Sequence, residues 1–184
     1  MNHILNKQNV FNFLKSESII IEISSTSNIE ILEDKNIGTN KLQKVKLVGL
    51  KNTSRYWQLN PETSTYLQPN GKKVESIIIE QTNNNTLNIF LIEMKSERIN
   101  RRIINEIEEK FLISFSWTYL LLNLLNHNQN QNIKLFGILV AQRNMNWNNH
   151  ETLNILSSTS IRYKKKSFYT INTECSITMD ELLE

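Results

Sequence analysis

The chain has 184 residues, of which 39% are hydrophobic and 21% are charged, so it can bury one sizeable core but is short for two domains. Its 4 glycines and 2 prolines leave little material for a flexible linker, and a net charge of +3 is too small to indicate nucleic-acid binding by itself. The single cysteine, Cys175, excludes an internal disulfide and favours a reducing, cytoplasmic setting.

Two classes of protein are disfavoured by the distribution of residues. Two aspartates and three scattered histidines give no local signature of a Ser/His/Asp triad. The most apolar stretch, residues 111–125, is interrupted by polar side chains and is shorter than the roughly 20 residues that span a bilayer. We therefore expect a single cytoplasmic domain over residues 1–184, with no membrane partner.

The N-terminal region, residues 1–70, is predicted to combine one helix with several strands. Apolar spacing over residues 4–15 is typical of a short amphipathic helix. Segments rich in β-branched residues, at 17–25 and 28–34, predict two strands joined by a turn near Ser25, and shorter strands are expected at 44–50 and 55–59. Pro69-Asn70-Gly71 predicts a turn within the following loop.

The strongest predictions fall in a core over residues 72–143. Segments 74–81 and 87–95 are predicted strands, and the Asn-rich stretch between them favours a tight turn. From residue 97 the apolar period becomes helical, with Ser96 as the N-cap, and this helix is expected to continue through the apolar segment and stop at the polar tract 126–132. Residues 133–142 predict a mostly apolar strand.

The C-terminal tail, residues 150–184, is predicted to hold a strand near residues 162–171 and a short terminal helix. Thr178 and Glu181 have the spacing of a capping box at the start of that helix. Its leucines are expected to dock on the core.

The predicted hairpin brings acidic side chains together. A turn about Asn84 places Glu75 opposite Glu93, with Lys95 on the same face and Lys73 opposite Lys95. Opposed like charges on a sheet are unfavourable and need compensation. Either the lysines neutralise the acids in a solvated lattice worth about 1 kcal/mol or less per pair, or a Mg²⁺ ion bridges the carboxylates beside a lysine that holds or deprotonates a water.

An acid in one strand is followed by E-x-K at the end of the next strand, and then by a helix and another strand. In this order of its elements the chain resembles the PD-(D/E)XK, or restriction-endonuclease-like, nuclease superfamily. The resemblance covers about residues 75–143 and implies an α/β fold with a central mixed β-sheet flanked by helices. It also implies that Glu75 and Glu93 bind Mg²⁺ or Mn²⁺, with the Met94 carbonyl as a further ligand, and that Lys95 assists a water nucleophile that cleaves the phosphate backbone by in-line attack. DNA is the preferred substrate in our prediction and RNA the less favoured one. The family's first acid is usually aspartate, and the extra methylene of Glu75 carries its carboxylate further from the backbone.

Two other E-x-K tripeptides compete with this candidate. Glu108-Glu109-Lys110 lies within the predicted helix, which disfavours it as the end of a strand. Glu33-Asp34-Lys35 is a closer rival, because a turn about Ser25 would place Glu17 opposite Glu33. No convincing helix follows Lys35, so the context favours the site at Glu93.

Basic residues near the predicted site are candidates for binding the phosphate backbone. They are Lys73, Arg98, Arg101, Arg102, Lys164, Lys165 and Lys166. Arginines in the first turns of a helix oppose the helix dipole, and phosphate contact would explain them, although pairing with Glu97 and Glu106 on a solvated face is an alternative. The lysines at 164–166 fit a nucleic-acid contact or an ordinary protected edge strand.

The function predicted from the sequence is metal-dependent cleavage of phosphodiester bonds. The alternative is a catalytically inactive domain of the same or a related fold that binds a protein partner or nucleic acid. A bare nuclease core offers little surface for reading a long sequence, which favours a homodimer or a partner subunit.

Overall fold

A computed structural model describes residues 7–32, 41–61, 72–96, 101–125, 132–142 and 164–184. Within these ranges the chain folds as an α/β protein with three helices. They are α1 (Lys7–Ser16), α2 (Arg101–Leu124) and α3 (Met179–Leu183). The strands are β1 (Ile20–Ile23), β2 (Ile29–Leu32), β3 (Lys44–Val48), β4 (Arg55–Leu59), β5 (Ser76–Gln81), β6 (Thr86–Lys95), β7 (Asn132–Gln142), β8 (Lys164–Thr170) and β9 (Glu174–Thr178).

The larger sheet is mixed and has the strand order β1-β4-β5-β6-β7-β8. Strands β1, β4, β5 and β6 pair antiparallel, whereas β6, β7 and β8 run parallel. A parallel pair needs a crossover connection, and α2 lies in the connection between β6 and β7. Both central strands are buried over most of their length, as expected for a sheet covered on both faces.

The two faces of this sheet pack against different layers. One face packs against α1 and α2 through a core that includes Leu91 of β6 and Ile107 of α2. The other face packs against a three-stranded sheet of order β2-β3-β9 and against α3. The prediction of a sheet flanked by helices thus describes one face, because the one-sided apolar alternation of β2 and β3 builds a second sheet over the other.

Most predicted elements of the core are present where expected. The hairpin of β5 and β6 turns at Asn83, Asn84 and Asn85, and Asn85 has a positive φ of 57°, which asparagine tolerates. Strand β7 follows α2 as predicted. The terminal helix α3 begins with the predicted capping box of Thr178 and Glu181, and its Leu182 is buried in the core.

One sequence prediction is wrong. The segments β1 and β2 were expected to form a hairpin, but β1 pairs with β4 and β2 pairs with β3 in the other sheet. Ile20 of β1 packs on the α2 side of the large sheet, whereas Ile29 and Ile31 of β2 pack in the core on its other side. The register that placed Glu17 opposite Glu33 therefore does not form.

Several predicted features lie outside the described residues. They are the E-x-K at 33–35, the turn at 69–71, most of the polar tract at 126–132 and the residues 97–100 that precede α2. The hydroxyl of Ser96, the predicted N-cap, accepts a hydrogen bond from the Leu42 N–H at 2.9 Å and donates to the Leu42 carbonyl at 3.5 Å. None of the helices in the described part of the chain is long and apolar enough to cross a membrane.

Candidate functional site

The hairpin of β5 and β6 has the register predicted from the sequence. Ser76 lies opposite Ile92 and Ile77 opposite Leu91, so Glu75 stands beside Glu93 one step further along the ladder. Odd-numbered residues of β6, such as Leu91, pack toward α2. Alternation along the strand therefore directs Glu93 and Lys95 toward α2 as well.

A second lysine, contributed by α2, joins these residues. The Nζ atom of Lys110 lies 2.6 Å from Oε1 of Glu93 and 3.7 Å from Oε1 of Glu75. The Nζ atom of Lys95 lies 3.0 Å from the same Glu93 oxygen. The four side chains form what we call the Glu93 cluster: Glu75, Glu93, Lys95 and Lys110.

The cluster lies at the boundary of the core. The Glu93 side chain is fully buried, whereas those of Glu75, Lys95 and Lys110 are 16%, 14% and 13% exposed. Buried like charges require nearby opposite charges, and here two ammonium groups offset two carboxylates. Lys95 and Lys110 provide that compensation, whereas the lysine lattice that was one of the two alternatives from the sequence used Lys73 and Lys95.

Lys110 is not among the site residues predicted from the sequence, because its E-x-K tripeptide lies within a predicted helix. The helix assignment is correct, but the lysine lies three residues after the buried Ile107 and four before the buried Ser114. That spacing puts it on the face that packs against the sheet. A lysine on an otherwise apolar helix face is the sequence feature that could have identified Lys110 as a site residue.

Ser114 fixes α2 against the strand that carries Glu75. Its hydroxyl oxygen accepts a hydrogen bond of 3.1 Å from the backbone N–H of Val74. Both residues are fully buried. Because Val74 immediately precedes Glu75 and Ser114 lies one helical turn after Lys110, this contact places the backbone of Glu75 close to that of Lys110.

The electrostatics of Glu93 are dominated by burial. Burial raises the pKa of its carboxyl group, and the ammonium groups of Lys110 and Lys95 oppose that rise without reversing it. Both lysines contact Oε1. The other oxygen, Oε2, is buried and has no hydrogen-bond partner among the described residues. A buried acceptor without a donor or cation is unfavourable, so Oε2 is the position where a ligand would be stabilised.

The cluster offers a divalent cation only two carboxylates as protein ligands. The described residues contain no group of three or more His, Cys, Asp or Glu side chains arranged to hold a metal. Mg²⁺ is usually bound by one or two carboxylates together with waters and substrate phosphates, so Glu75 and Glu93 are a sufficient pair. Oε2 of Glu93 is the available ligand atom, because Lys110 already contacts Oε1 of both acids. The Met94 side chain points into the core on the opposite face.

The basic residues predicted to bind phosphate near this site differ in their exposure and in their partners. Lys73 donates to the backbone carbonyl of Pro61 at 3.4 Å, and Arg98 lies outside the described residues. Arg101 and Arg102 are exposed in the first turn of α2. Glu106, the acid proposed as their helical partner, instead pairs with Lys72 at 3.2 Å, and this contact lowers the pKa of Glu106.

The three lysines of β8 also differ from one another. Lys165 pairs with Glu108 of α2, and Lys166 donates to the backbone carbonyl of Glu181. Lys164 is exposed and has no ion pair within the described ranges. Strand β8 ends the sheet as described, which agrees with the alternative of an edge strand protected by lysines.

Comparisons of this chain with protein-family models, with curated proteins and with solved structures found no match. The functional assignment therefore depends on the Glu93 cluster. In this cluster, a carboxylate oxygen without a hydrogen-bond partner among the described residues and a second acid lie beside two ammonium groups. A divalent ion and a phosphate are the ligands that complement such a set.

Proposed function

We propose that the chain is a metal-dependent nuclease with a restriction-endonuclease-like core, cleaving phosphodiester bonds and acting on DNA rather than RNA. The observation that carries the proposal is the convergence of Glu75, Glu93 and Lys95 at one end of the β5–β6 hairpin, with one buried oxygen of Glu93 unpartnered. The chain order β5, β6, α2, β7, with β7 parallel to β6, supports it.

Each residue of the cluster has a distinct role in this proposal. Glu75 and Glu93 would hold Mg²⁺ or Mn²⁺, with the Met94 carbonyl as a further ligand. The metal, when bound, supplies positive charge for the phosphate and lowers the pKa of a coordinated water. Lys95, whose Nζ lies 3.0 Å from Glu93, would hold the attacking water through its ammonium group, or would take the proton of that water after losing its own. Lys110 is a positioning residue that keeps the two acids together.

A cleavage assay tests the proposal directly. Supercoiled plasmid, single-stranded DNA and RNA are incubated with the protein in Mg²⁺, in Mn²⁺ or in EDTA. We expect cleavage of DNA that requires metal and that falls by about 100-fold or more in Lys95→Ala, the usual range for loss of a proton-transfer group. Lys72→Ala is the matched control, because that lysine is half exposed and pairs with Glu106 outside the cluster. Cleavage that is unchanged in Lys95→Ala would refute the assignment.

A second function is favoured by one specific observation. Lys110 contacts both acids, so the cluster is already neutral without a metal. A catalytically inactive domain that binds nucleic acid or a protein partner would be stabilised in this way. Titration with Mn²⁺ separates the two: a nuclease binds the ion at the cluster and loses binding in Glu93→Gln, whereas an inactive domain binds no ion there in either form.

A further inference from the structure

An open cavity of about 560 Å³ lies at the other end of the large sheet. Residues from the β5–β6 hairpin, β7, β8 and α3 line it, among them Thr86, Asn88, Lys134, Phe136, Lys164 and Leu183. Asn88 precedes Glu93 by five residues along β6, which separates the two by roughly 16 Å. Its side chain also points to the opposite face. The cavity is therefore distinct from the Glu93 cluster.

A row of polar residues crosses four neighbouring strands beside this cavity. Tyr56 is opposite Glu80, Glu80 is opposite Asn88, and Asn88 is opposite Lys134. The Tyr56 hydroxyl donates to Oε1 of Glu80 at 2.9 Å, and the Asn88 amide donates to Oε2 at 2.7 Å. Burial raises the pKa of Tyr56 to about 12, so its phenol remains a donor.

This network fixes the orientation of Asn88. The amide nitrogen is committed to the buried Glu80 carboxylate, and the side-chain oxygen, Oδ1, has no hydrogen-bond partner among the described residues. Asn88 is 4% exposed and contributes to the wall of the cavity. A buried amide oxygen held in this way is a preformed acceptor for a ligand that brings a hydrogen-bond donor.

Two cations at the same cavity also lack partners. Lys134 and Lys164 are exposed and form no ion pair with any carboxylate in the described part of the chain, whereas the neighbouring Lys165 pairs with Glu108. Lys164 lies opposite Phe136, which is two residues beyond Lys134 on β7. A phosphate monoester carries between one and two negative charges at neutral pH and would be complementary to two ammonium groups.

We propose that this cavity binds a small phosphorylated molecule that also carries a hydrogen-bond donor. The phosphate contacts Lys134 and Lys164, and the donor, a hydroxyl or an amino group, contacts Oδ1 of Asn88. Apolar atoms of Phe136 and Leu183 cover the rest of the ligand. Nucleoside monophosphates and sugar phosphates share this chemistry.

Isothermal titration of the full chain tests the proposal and separates these sources. The ligands are AMP and glucose 6-phosphate, each compared with its unphosphorylated parent, and inorganic phosphate. We expect at least one of the two phosphate esters to bind at least tenfold more tightly than its parent and than inorganic phosphate. Binding of AMP alone identifies a nucleotide site, and binding of glucose 6-phosphate alone identifies a sugar phosphate site.

Variants locate the binding. The double variant Lys134→Gln/Lys164→Gln should weaken it at least tenfold, while Lys41→Gln, at another exposed lysine without an ion pair among the described residues, leaves it unchanged. Glu93→Gln should also leave it unchanged, so the outcome does not depend on nuclease activity. The proposal is overturned if neither ester binds at millimolar concentration, if inorganic phosphate binds as tightly, or if the double variant binds normally.

Discussion

Replacing Lys110 with methionine removes the ammonium group that contacts both acids of the Glu93 cluster and keeps a side chain of similar length. Removing one partner of a buried ion pair typically costs about 3 to 5 kcal/mol. Lys95 stays 3.0 Å from the same Glu93 oxygen, and Lys110 is itself 13% exposed. We therefore expect Lys110→Met to lower the free energy of unfolding by about 2 to 3 kcal/mol at pH 7.5.

The loss should depend on pH in a defined direction. Burial raises the pKa of Glu93 in the folded protein above its ordinary value of 4.5. The stability linked to this proton is complete below pH 4.5 and is lost as the pH rises through the folded pKa. Methionine at position 110 removes an ammonium that opposes the rise, so the folded pKa increases further. The difference between the free energies of unfolding of variant and wild type should be smallest near pH 4.5 and should grow as the pH rises.

Urea denaturation of both proteins from pH 4.5 to pH 8 measures this difference. Lys72→Met is the control, because its pair with Glu106 is partly solvated and is worth about 1 kcal/mol or less. A loss below 1 kcal/mol at pH 7.5 for Lys110→Met, or one that does not change with pH, would refute the reasoning.

Three further outcomes are expected. Tyr56→Phe should lower the free energy of unfolding, measured by urea denaturation, by about 1 to 3 kcal/mol, because it leaves one oxygen of the buried Glu80 without a hydrogen bond. Tyr119→Phe, at a half-exposed ring, is the control and should cause no measurable change. Equal effects of the two variants would contradict this account. Thr178→Ala should cost about 1 kcal/mol by breaking the capping box of α3, and an unchanged melting temperature would argue against it. Mn²⁺ at 100 times its dissociation constant should stabilise the protein by about 2.7 kcal/mol, and the same concentration should have no effect on Glu93→Gln; a shift that persists in this variant would place the ion elsewhere.

The β5–β6 hairpin could be predicted because the residues that determine its turn and its register lie close together in the sequence. Asparagines supply the turn, and the alternating direction of side chains along a strand fixes which of them share a face. Together they placed Glu75 beside Glu93 and Lys95, as the structure has them. The partner of β1 was not predictable in this way, since the choice between β2 and β4 depends on which buried face each strand joins, and that face is set by distant residues.

The partners of Lys110 and Glu80 in the candidate sites could not be predicted from the sequence either. A charged residue on a helix is usually solvated, and only the packing of α2 over β6 makes Lys110 a partner of Glu93. The alternation rule for strands places Glu80 on the opposite face from Glu93. Alternation does not predict that Tyr56 and Asn88, on the strands on either side, form hydrogen bonds with Glu80.

The alternation of β6 also bears on how the sheet assembles. A shift of one residue in its pairing would turn Glu93 into the space now filled by Met94, among apolar side chains of the core. The same shift would withdraw Asn88 from Glu80. Misaligned hairpins would thus separate the buried Glu93 from its lysines and leave one oxygen of Glu80 without its donor, so the polar residues of this strand favour a single alignment.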